Sequence, residues 1–319
     1  LLIASSRQGS LPPNLQGAWN QYEFAPWSGG YWHNVNVQMN YWPVFNTNLT
    51  ELFIPYADYN EAFRKAATQK AVDYITQNNP EALNPIAEEN GWTIGTGATA
   101  FAIEGPGGHS GPGTGGFTTK LFWDYYDFTR DKQLLKDHVY PALMGMAKFL
   151  SKTLKPQPDG TLLVDPSFSP EQVHQQVYYR SKGCIFDQSM ILETYRDLLH
   201  AAEILKDKDP FLKTVKEQIE KLDAILIGES GQIKEFREEN KYGEIGQYQH
   251  RHISQLCAMY PGTIINADTP EWLEAAKVTL KERGDKSTGW AMAHRRNLWA
   301  RAKNGNRAYK LYQDILTYG

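Results

Sequence analysis

Residues 185–206 read IFDQSMILETYRDLLHAAEILK, and the spacing of their apolar side chains decides the fold class. Leu192, Tyr195, Leu198, Leu199, Ala202 and Leu205 recur at i, i+3, i+4 and i+7, which puts them on one buried face of an α-helix. Outward from this segment the same period predicts helices near 35–46, 52–77, 114–129, 133–153, 209–226, 252–259, 270–283, 288–303 and 305–317. Thr269-Pro270-Glu271 sets Thr before a proline at the first helical position with an acid in the first turn. Asp131, and Ser287 or Thr288, stand as caps for the helices that follow them. Gly160 to Val164 is the one short extended candidate. Short connections alternate with long ones, at 10–33, 78–113, 155–184 and 227–250, which are rich in Gly, Pro, Asn and aromatics. Loops of that length in a compact domain usually carry function. Helices alternating around a ring would gather these loops on one face. The expected fold is therefore all-α, an (α/α)6 toroid or barrel forming one domain over 1–319, with a loop-built pocket at one end. The visible helices fall short of a twelve-helix ring by about one at each end, so the toroid is expected to be incomplete at both ends. A two-lobed helical bundle is the alternative.

The 319 residues are 41% hydrophobic and 13% aromatic, with a formal net charge of -3 and a pI near 6.3. Charges of both signs are mixed along the chain, which speaks against a nucleic-acid binder with its basic stripe. No apolar run approaches the roughly 18 residues that a membrane span requires, and the opening LLIASS is too short for a signal-peptide core. The chain begins without Met, within an apolar helix end. It therefore reads as a fragment, and the compartment stays open. Cys184 and Cys257 have no metal-ligand spacing and read as buried free thiols. No metal or cofactor is expected. Nine Trp and eighteen Tyr are compatible with sugar binding, because pyranose C–H faces stack on aromatic rings, although most such residues serve cores.

Five clusters hold polar or glycine-rich residues. In Gly30 to Trp42 (GYWHNVNVQMNYW), Asn34, Gln38 and Tyr41 share one helical face, and Asn36 and Asn40 another. Amides are costly to bury without partners, so they either cap the helix and brace loops or line a polar pocket. In Asp165 to Glu171 (DPSFSPE), two prolines stiffen the loop, and Phe168, Pro170 and Val173 surround the Glu171 carboxyl with apolar groups. Desolvation there would raise its pKa toward a general acid's, against the plain alternative of a solvated loop Glu. His250, Arg251 and His252 follow a long loop. Their spacing suits hydrogen bonds to a sugar hydroxyl or a catalytic carboxyl better than zinc. Arg283 to Arg301 includes Trp290, with a helix cap and buried aromatic face as the structural alternative. The glycine-rich Gly105 to Gly116 lacks a phosphate-loop Lys-Ser/Thr; its backbone is expected to make room for a ligand, with His109 or Glu104 pointing in, unless it is a mobile surface loop.

Together these stretches resemble glycoside hydrolase family 95. The resemblance is carried by Ser10 to Asn20 (SLPPNLQGAWN), Asn34 to Pro43 (NVNVQMNYWP), Ser167 to Glu171 (SFSPE) and Arg251 to Ser254. Tyr260-Pro261-Gly262 and Ser287 to Arg301 (STGWAMAHRRNLWAR) complete it, in order along essentially the whole chain. The family consists mostly of inverting α-L-fucosidases acting on terminal 1,2-linked fucose, with some α-L-galactosidases, and joins an (α/α)6 catalytic barrel to β-rich domains absent here. The resemblance implies a fucosylated oligosaccharide or glycan as substrate and a secreted or periplasmic location. It places the general acid on Glu171 and two water-positioning asparagines on Asn34 and Asn36, and matches His252 to a sugar-contacting histidine. Trp32, His33, Arg251, Glu104, His109 and Trp290 are the further expected substrate contacts. The family often has His two positions before the first asparagine; here Trp32 stands there, with His33 next.

The family's catalytic Asp sits in a Gln-Ile-Asp-Gly-Asn-type motif that this chain does not contain. An inverting reaction needs a carboxylate behind the asparagines, because an amide alone is a poor base. The fragment is therefore expected to be catalytically crippled while the parent protein is active. Asp285, the nearby substitute, reads as a structural cap. The competing readings are a sugar-binding toroid without hydrolysis and another (α/α)6 inverting hydrolase. A phosphorylase would need a basic phosphate site, and Gly105–Gly116 has no Lys or Arg. L-Fucose and L-galactose differ by one hydroxyl at C6, and the sequence does not locate the wall that would read it.

Overall fold

A computed structural model describes residues 2–17, 20–239 and 243–318. After the short α1 (Leu2–Ser5), the main helices are α2 (Asn36–Asn46), α3 (Ile54–Asn78) and α4 (Gly113–Thr129). Then come α5 (Lys132–Leu134), α6 (Tyr140–Ser151), α7 (Ile185–Leu205) and α8 (Phe211–Ile219). The series ends with α9 (Pro270–Arg283), α10 (Gly289–Arg301) and α11 (Gly305–Tyr318). The all-α class is as expected.

Burial sets α4 and α7 apart from the other helices. α4 is buried nearly all round, from Gly113 to Trp123, and α7 buries both its apolar residues and Asp187, Gln188, Ser189, Glu193 and Asp197. A helix buried on every side must lie inside. α2 packs on α4, α4 on α7, and α7 on the 3-10 turn Ser254–Leu256. α6 and α8 pack outside α7, and α11 beside α10. That is the α/α arrangement of a helical toroid. Two apolar clusters fill it, one centred on α2 to α7 and the other on residues 253–311; Ile219, Leu222 and Tyr260 touch both. Cys184 and Cys257 are buried free thiols.

The ends of the helices follow local chemistry. α4 and α7 stop at Arg130 and Lys206, whose φ of 56° and 57° places them in the left-handed region. Asp131 caps α5, accepting from the backbone N–H of Gln133 (2.8 Å) and Leu134 (3.1 Å). Thr269 and Thr288 occupy N-cap positions without a side-chain cap bond; the Thr269 hydroxyl accepts from Asn266 N–H in the preceding loop instead.

Three predicted helices are shorter or broken. The 133–153 segment contains a π turn, Leu135–Val139, ahead of α6. Pro141 has no N–H to give to the preceding turn, and Tyr140 N–H reaches back to Leu135 O. The 209–226 helix ends at Ile219, because Lys221 O accepts from Leu162 N–H (3.0 Å) and Leu226 O from Lys234 N–H (2.8 Å). At 252–259 only a 3-10 turn forms. The carbonyls of His250, Arg251 and His252 accept from the buried guanidinium groups of Arg283 and Arg295 rather than from amides one turn on.

Among the described residues, the strands form three antiparallel pairs. β1 (Tyr31–Trp32) pairs with β2 (Gly97–Ala98), β3 (Leu154–Pro156) with β4 (Leu162–Val164), and β5 (Val173–His174) with β6 (Val177–Tyr178). β4 falls in the one predicted extended segment. The other pairs are too short to leave an alternating pattern in the sequence.

Candidate active site

The long loops meet over a cavity of about 650 Å³ lined by Trp32, Asn36, His109, Glu171, Arg251, His252 and Trp290, together with Leu15, Trp27, Met39 and Asn40. Its chemistry centres on Glu171. Asn34 Nδ2 donates to Glu171 Oε1 at 2.7 Å, Arg251 makes an ion pair with Oε2, and His252 Nε2 lies 3.8 Å from Oε1. The carboxyl is therefore not an isolated acid in an apolar pocket, as its flanking residues suggest, but a partnered group at the cavity edge.

The backbone at Glu171 is unusual. Its φ of 54° is left-handed, which costs a non-glycine residue about 1 kcal/mol and requires the surroundings to hold it. They do so through hydrogen bonds on both sides. Glu171 N–H donates to His109 O (2.8 Å), and Ser167 exchanges backbone bonds with Ser181 (3.0 and 2.9 Å). Asp187, fully buried on α7, accepts from Ser167 Oγ (2.6 Å), Phe168 N–H (3.2 Å) and Gly113 N–H at the start of α4 (2.7 Å). Burial pushes its carboxyl up to about 6, against these donors, which favour the charged form.

The opposite bank is held as firmly. Arg283 Nη1 donates to His250 O (2.9 Å) and His252 O (2.7 Å), and Arg295 to His250 O and Arg251 O (both 3.2 Å). Burial lowers the imidazoles of His250 and His252 to about 4 and about 3. Both are neutral at neutral pH, so His252 meets Glu171 as a dipole and Arg251 supplies the charge. His252 also packs on the Trp290 ring at 4.7 Å.

Glu235 joins the two banks. This buried carboxylate accepts from Ser169 Oγ (2.6 Å), Gln172 Nε2 (3.1 and 3.2 Å), Ser254 Oγ (3.3 Å) and Arg283 Nη2 (2.5 Å). It thus clamps the residues around Glu171 to the segment that carries Arg251 and His252. Nothing in the sequence singled it out, because it stands in the charged run KEFREENK, which reads as a solvated surface. Asn40, Met39, Leu15 and Trp27 were likewise not singled out as contacts, although Asn40 shares the Asn36 face.

Two expected contacts lie elsewhere. His33 is fully buried in the core beside Tyr56, with burial lowering its imidazole to about 3. Successive residues of an extended segment point to opposite sides, so Trp32 faces the cavity while Tyr31 and His33 face the interior. Glu104 is exposed and accepts from Gly97 N–H at 3.2 Å, outside the cavity. The glycine loop also departs from expectation. A Cβ on Gly111 would sit 2.1 Å from Asp187 Oδ2 and one on Gly108 2.7 Å from the Tyr178 ring, so these glycines make room for side chains of the protein itself. Gln38 serves structure, donating to His33 O (2.6 Å) and Thr118 Oγ1 (3.0 Å). Asp285 accepts from Trp299 Nε1 and Arg307 Nε, away from the cavity. Among the described residues no cluster of His, Cys, Asp and Glu has the makings of a metal site, and no helix is long and apolar enough to cross a membrane.

Sequence comparisons show which proteins the chain is similar to. The chain is 33% identical over 326 residues to alpha-L-fucosidase 2 of Arabidopsis thaliana, an alignment covering 99% of this chain and 37% of that protein. It is 32% identical over 331 residues to probable alpha-fucosidase A of Aspergillus niger, covering 97% and 39%. The chain thus spans somewhat more than a third of the length of these curated relatives. With a loop-built cavity on a helical toroid, and a match over residues 1–319 to the glycosyl hydrolase family 95 catalytic domain, the chain belongs to that family of glycoside hydrolases.

Proposed function

We propose that the whole protein hydrolyses terminal α-L-fucosides on glycans with inversion at the anomeric carbon, that residues 1–319 form its catalytic barrel domain, and that Glu171 is the general acid. The observation that carries this reading is the setting of Glu171: a carboxyl at the cavity edge, oriented by Asn34 and Arg251 through opposite oxygens. General acid catalysis needs the carboxyl held at a defined position, and these two contacts supply that. The cavity volume is in the range of a small-ligand site, and Trp27, Trp32, Met39 and Trp290 supply apolar wall. Such a wall suits a 6-deoxy sugar, whose C6 methyl asks for no hydrogen bond.

The asparagines divide their work. Asn34 is buried against the acid and orients it, whereas Asn36, with Asn40 one turn on, opens to the cavity and holds the attacking water. Deprotonating that water takes a carboxylate, and Glu171 is the only one among the described lining residues. The second carboxylate is therefore assigned to a residue outside the described lining.

Glu171→Gln tests the acid in the full-length protein. Hydrolysis of a fucosyl disaccharide should fall by about 10²–10⁴-fold, the usual worth of general acid catalysis, with sugar binding retained. α-L-Fucosyl fluoride, whose leaving group needs little proton assistance, should lose far less. Equal loss on both substrates, or none on the disaccharide, would remove Glu171 from the role.

A further inference from the structure

One wall of the cavity is not used by the hydrolytic groups. The β5–β6 hairpin begins two residues after Glu171 and sets Tyr178 beside His109, which lines the cavity. The Tyr178 ring lies against that of His109, with centroids 4.8 Å apart, and His109 meets Trp32 edge-on at 6.3 Å. Trp32 and His109 line the cavity, while Tyr178 is 40% exposed and its neighbour Val177 66% exposed. Three rings therefore run from inside the cavity to open surface.

The row is built, not incidental. A Cβ at residue 108 would meet the Tyr178 ring at 2.7–3.0 Å, so only glycine lets the ring lie this low over the chain before His109. Gln175 and Gln176 turn the hairpin with φ of 50° and 68°, two adjacent non-glycine residues in the left-handed region that a tight type I′ hairpin turn demands. Strain of this sort persists where surrounding contacts enforce it. Here the base of the hairpin is fixed by Tyr179 N–H to Gln172 O (3.0 Å) and Gln247 N–H to Gln172 Oε1 (2.8 Å).

Position gives the row its role. Glu171 N–H donates to His109 O, so the carboxyl-bearing residue and the ring row lie side by side. A general acid protonates the oxygen between the terminal sugar and the unit it leaves, and the leaving unit must therefore lie next to the acid. We propose that the His109–Tyr178 face is the leaving-sugar subsite, taking a hexopyranose with its C–H face on the Tyr178 ring. This rests on the reading of Glu171 as the acid.

The test compares Tyr178→Ala and Tyr178→Phe with the parent in the full-length protein. Substrates are a fucosyl disaccharide and α-L-fucosyl fluoride, which has no leaving sugar. Tyr178→Ala should lower kcat/KM on the disaccharide about tenfold, mainly through KM, and leave the fluoride unchanged. Tyr178→Phe should stay near the parent, because stacking does not need the hydroxyl. Equal loss on both substrates would make Tyr178 a support for Glu171 and overturn the proposal, as would no loss on the disaccharide. A separate arm measures saturation-transfer NMR on methyl β-D-galactoside, which has one continuous C–H face. Contact to that face, lost in Tyr178→Ala, supports the subsite, and unchanged contact overturns it. If the parent hydrolyses neither substrate, the proposed reaction falls, and this arm alone still decides the subsite.

Discussion

Glu235→Gln and Glu235→Ala isolate the clamp between the two banks of the cavity. Among the described residues, the Glu235 carboxylate accepts from donors only: Ser169 and Gln172 from the Glu171 loop, Ser254 from the far bank, and the Arg283 guanidinium at 2.5 Å. Glu235 and Arg283 are 3% and 1% exposed, so solvent does little to screen a charge there. Removing one partner of a buried pair costs about 3–5 kcal/mol, most of it the penalty of the charge left behind. Gln keeps the shape and can turn its amide oxygen to Arg283 while the serine hydroxyls rotate to accept from its NH2. It should lie near the low end, about 3 kcal/mol, with Ala near the high end. Urea unfolding of the 319-residue chain, followed by Trp fluorescence, measures both. Glu235→Ala with Arg283→Met should recover part of the stability lost in the single variant, because the buried guanidinium that faced Glu235 is then gone as well. The double variant also loses the anchor on His250 O and His252 O, so Arg251 and His252 should stay misaligned and sugar binding weakened. If Glu235→Gln stays within 1 kcal/mol of the parent, the clamp is not the energetic link described above.

Two smaller perturbations test single statements. His33 is held neutral by burial, its folded pKa of about 3 lying below the unfolded value near 6.5. The unfolded chain therefore takes up the proton first, and stability is untouched above pH 6.5 and lost as pH falls toward the folded value. His33→Leu removes that loss, so between pH 7 and pH 5 it should gain about 2 kcal/mol relative to the parent in urea unfolding; parallel curves would contradict the neutral assignment. Asp131→Ala removes the capping oxygen of α5 and should lower stability by about 0.5–2 kcal/mol, with no effect on sugar affinity measured by calorimetry.

The helices were legible because each buried face repeats its apolar side chains at helical spacing, and α7 shows how far that carries. Leu192, Tyr195, Leu198 and Ala202 are buried as the period requires, yet Asp187 and Glu193 on the same helix are buried too. Apolar periodicity reports one face and says nothing of a polar face turned toward the toroid interior. The failures are equally local. Pro141 converts part of a predicted helix into a π turn. The helix predicted at 252–259 does not form at its start, where the carbonyls of His250, Arg251 and His252 are taken by Arg283 and Arg295, which lie more than thirty residues away in sequence. A competition for hydrogen bonds across that distance leaves no trace in a local window.

The candidate site was legible as a set of residues but not as a division of labour. Glu171 meets Arg251 across 80 positions and Asn34 across 137, and no spacing rule groups residues so far apart. Only the family pattern placed them together, and it treated Asn34 and Asn36 alike. The geometry separates them at the start of α2. Asn34 precedes α2 in a turn that ends at the non-helical Val35, while Asn36 is the first helical residue. Two positions in extended chain point the same way, whereas a helix start between them swings the second side chain toward a different neighbour. Asn34 therefore reaches Glu171 and Asn36 reaches the cavity. Replacing Asn34 should disturb the Glu171 carboxyl, and replacing Asn36 should disturb whatever the cavity holds, and it is the start of α2 that makes these two different losses.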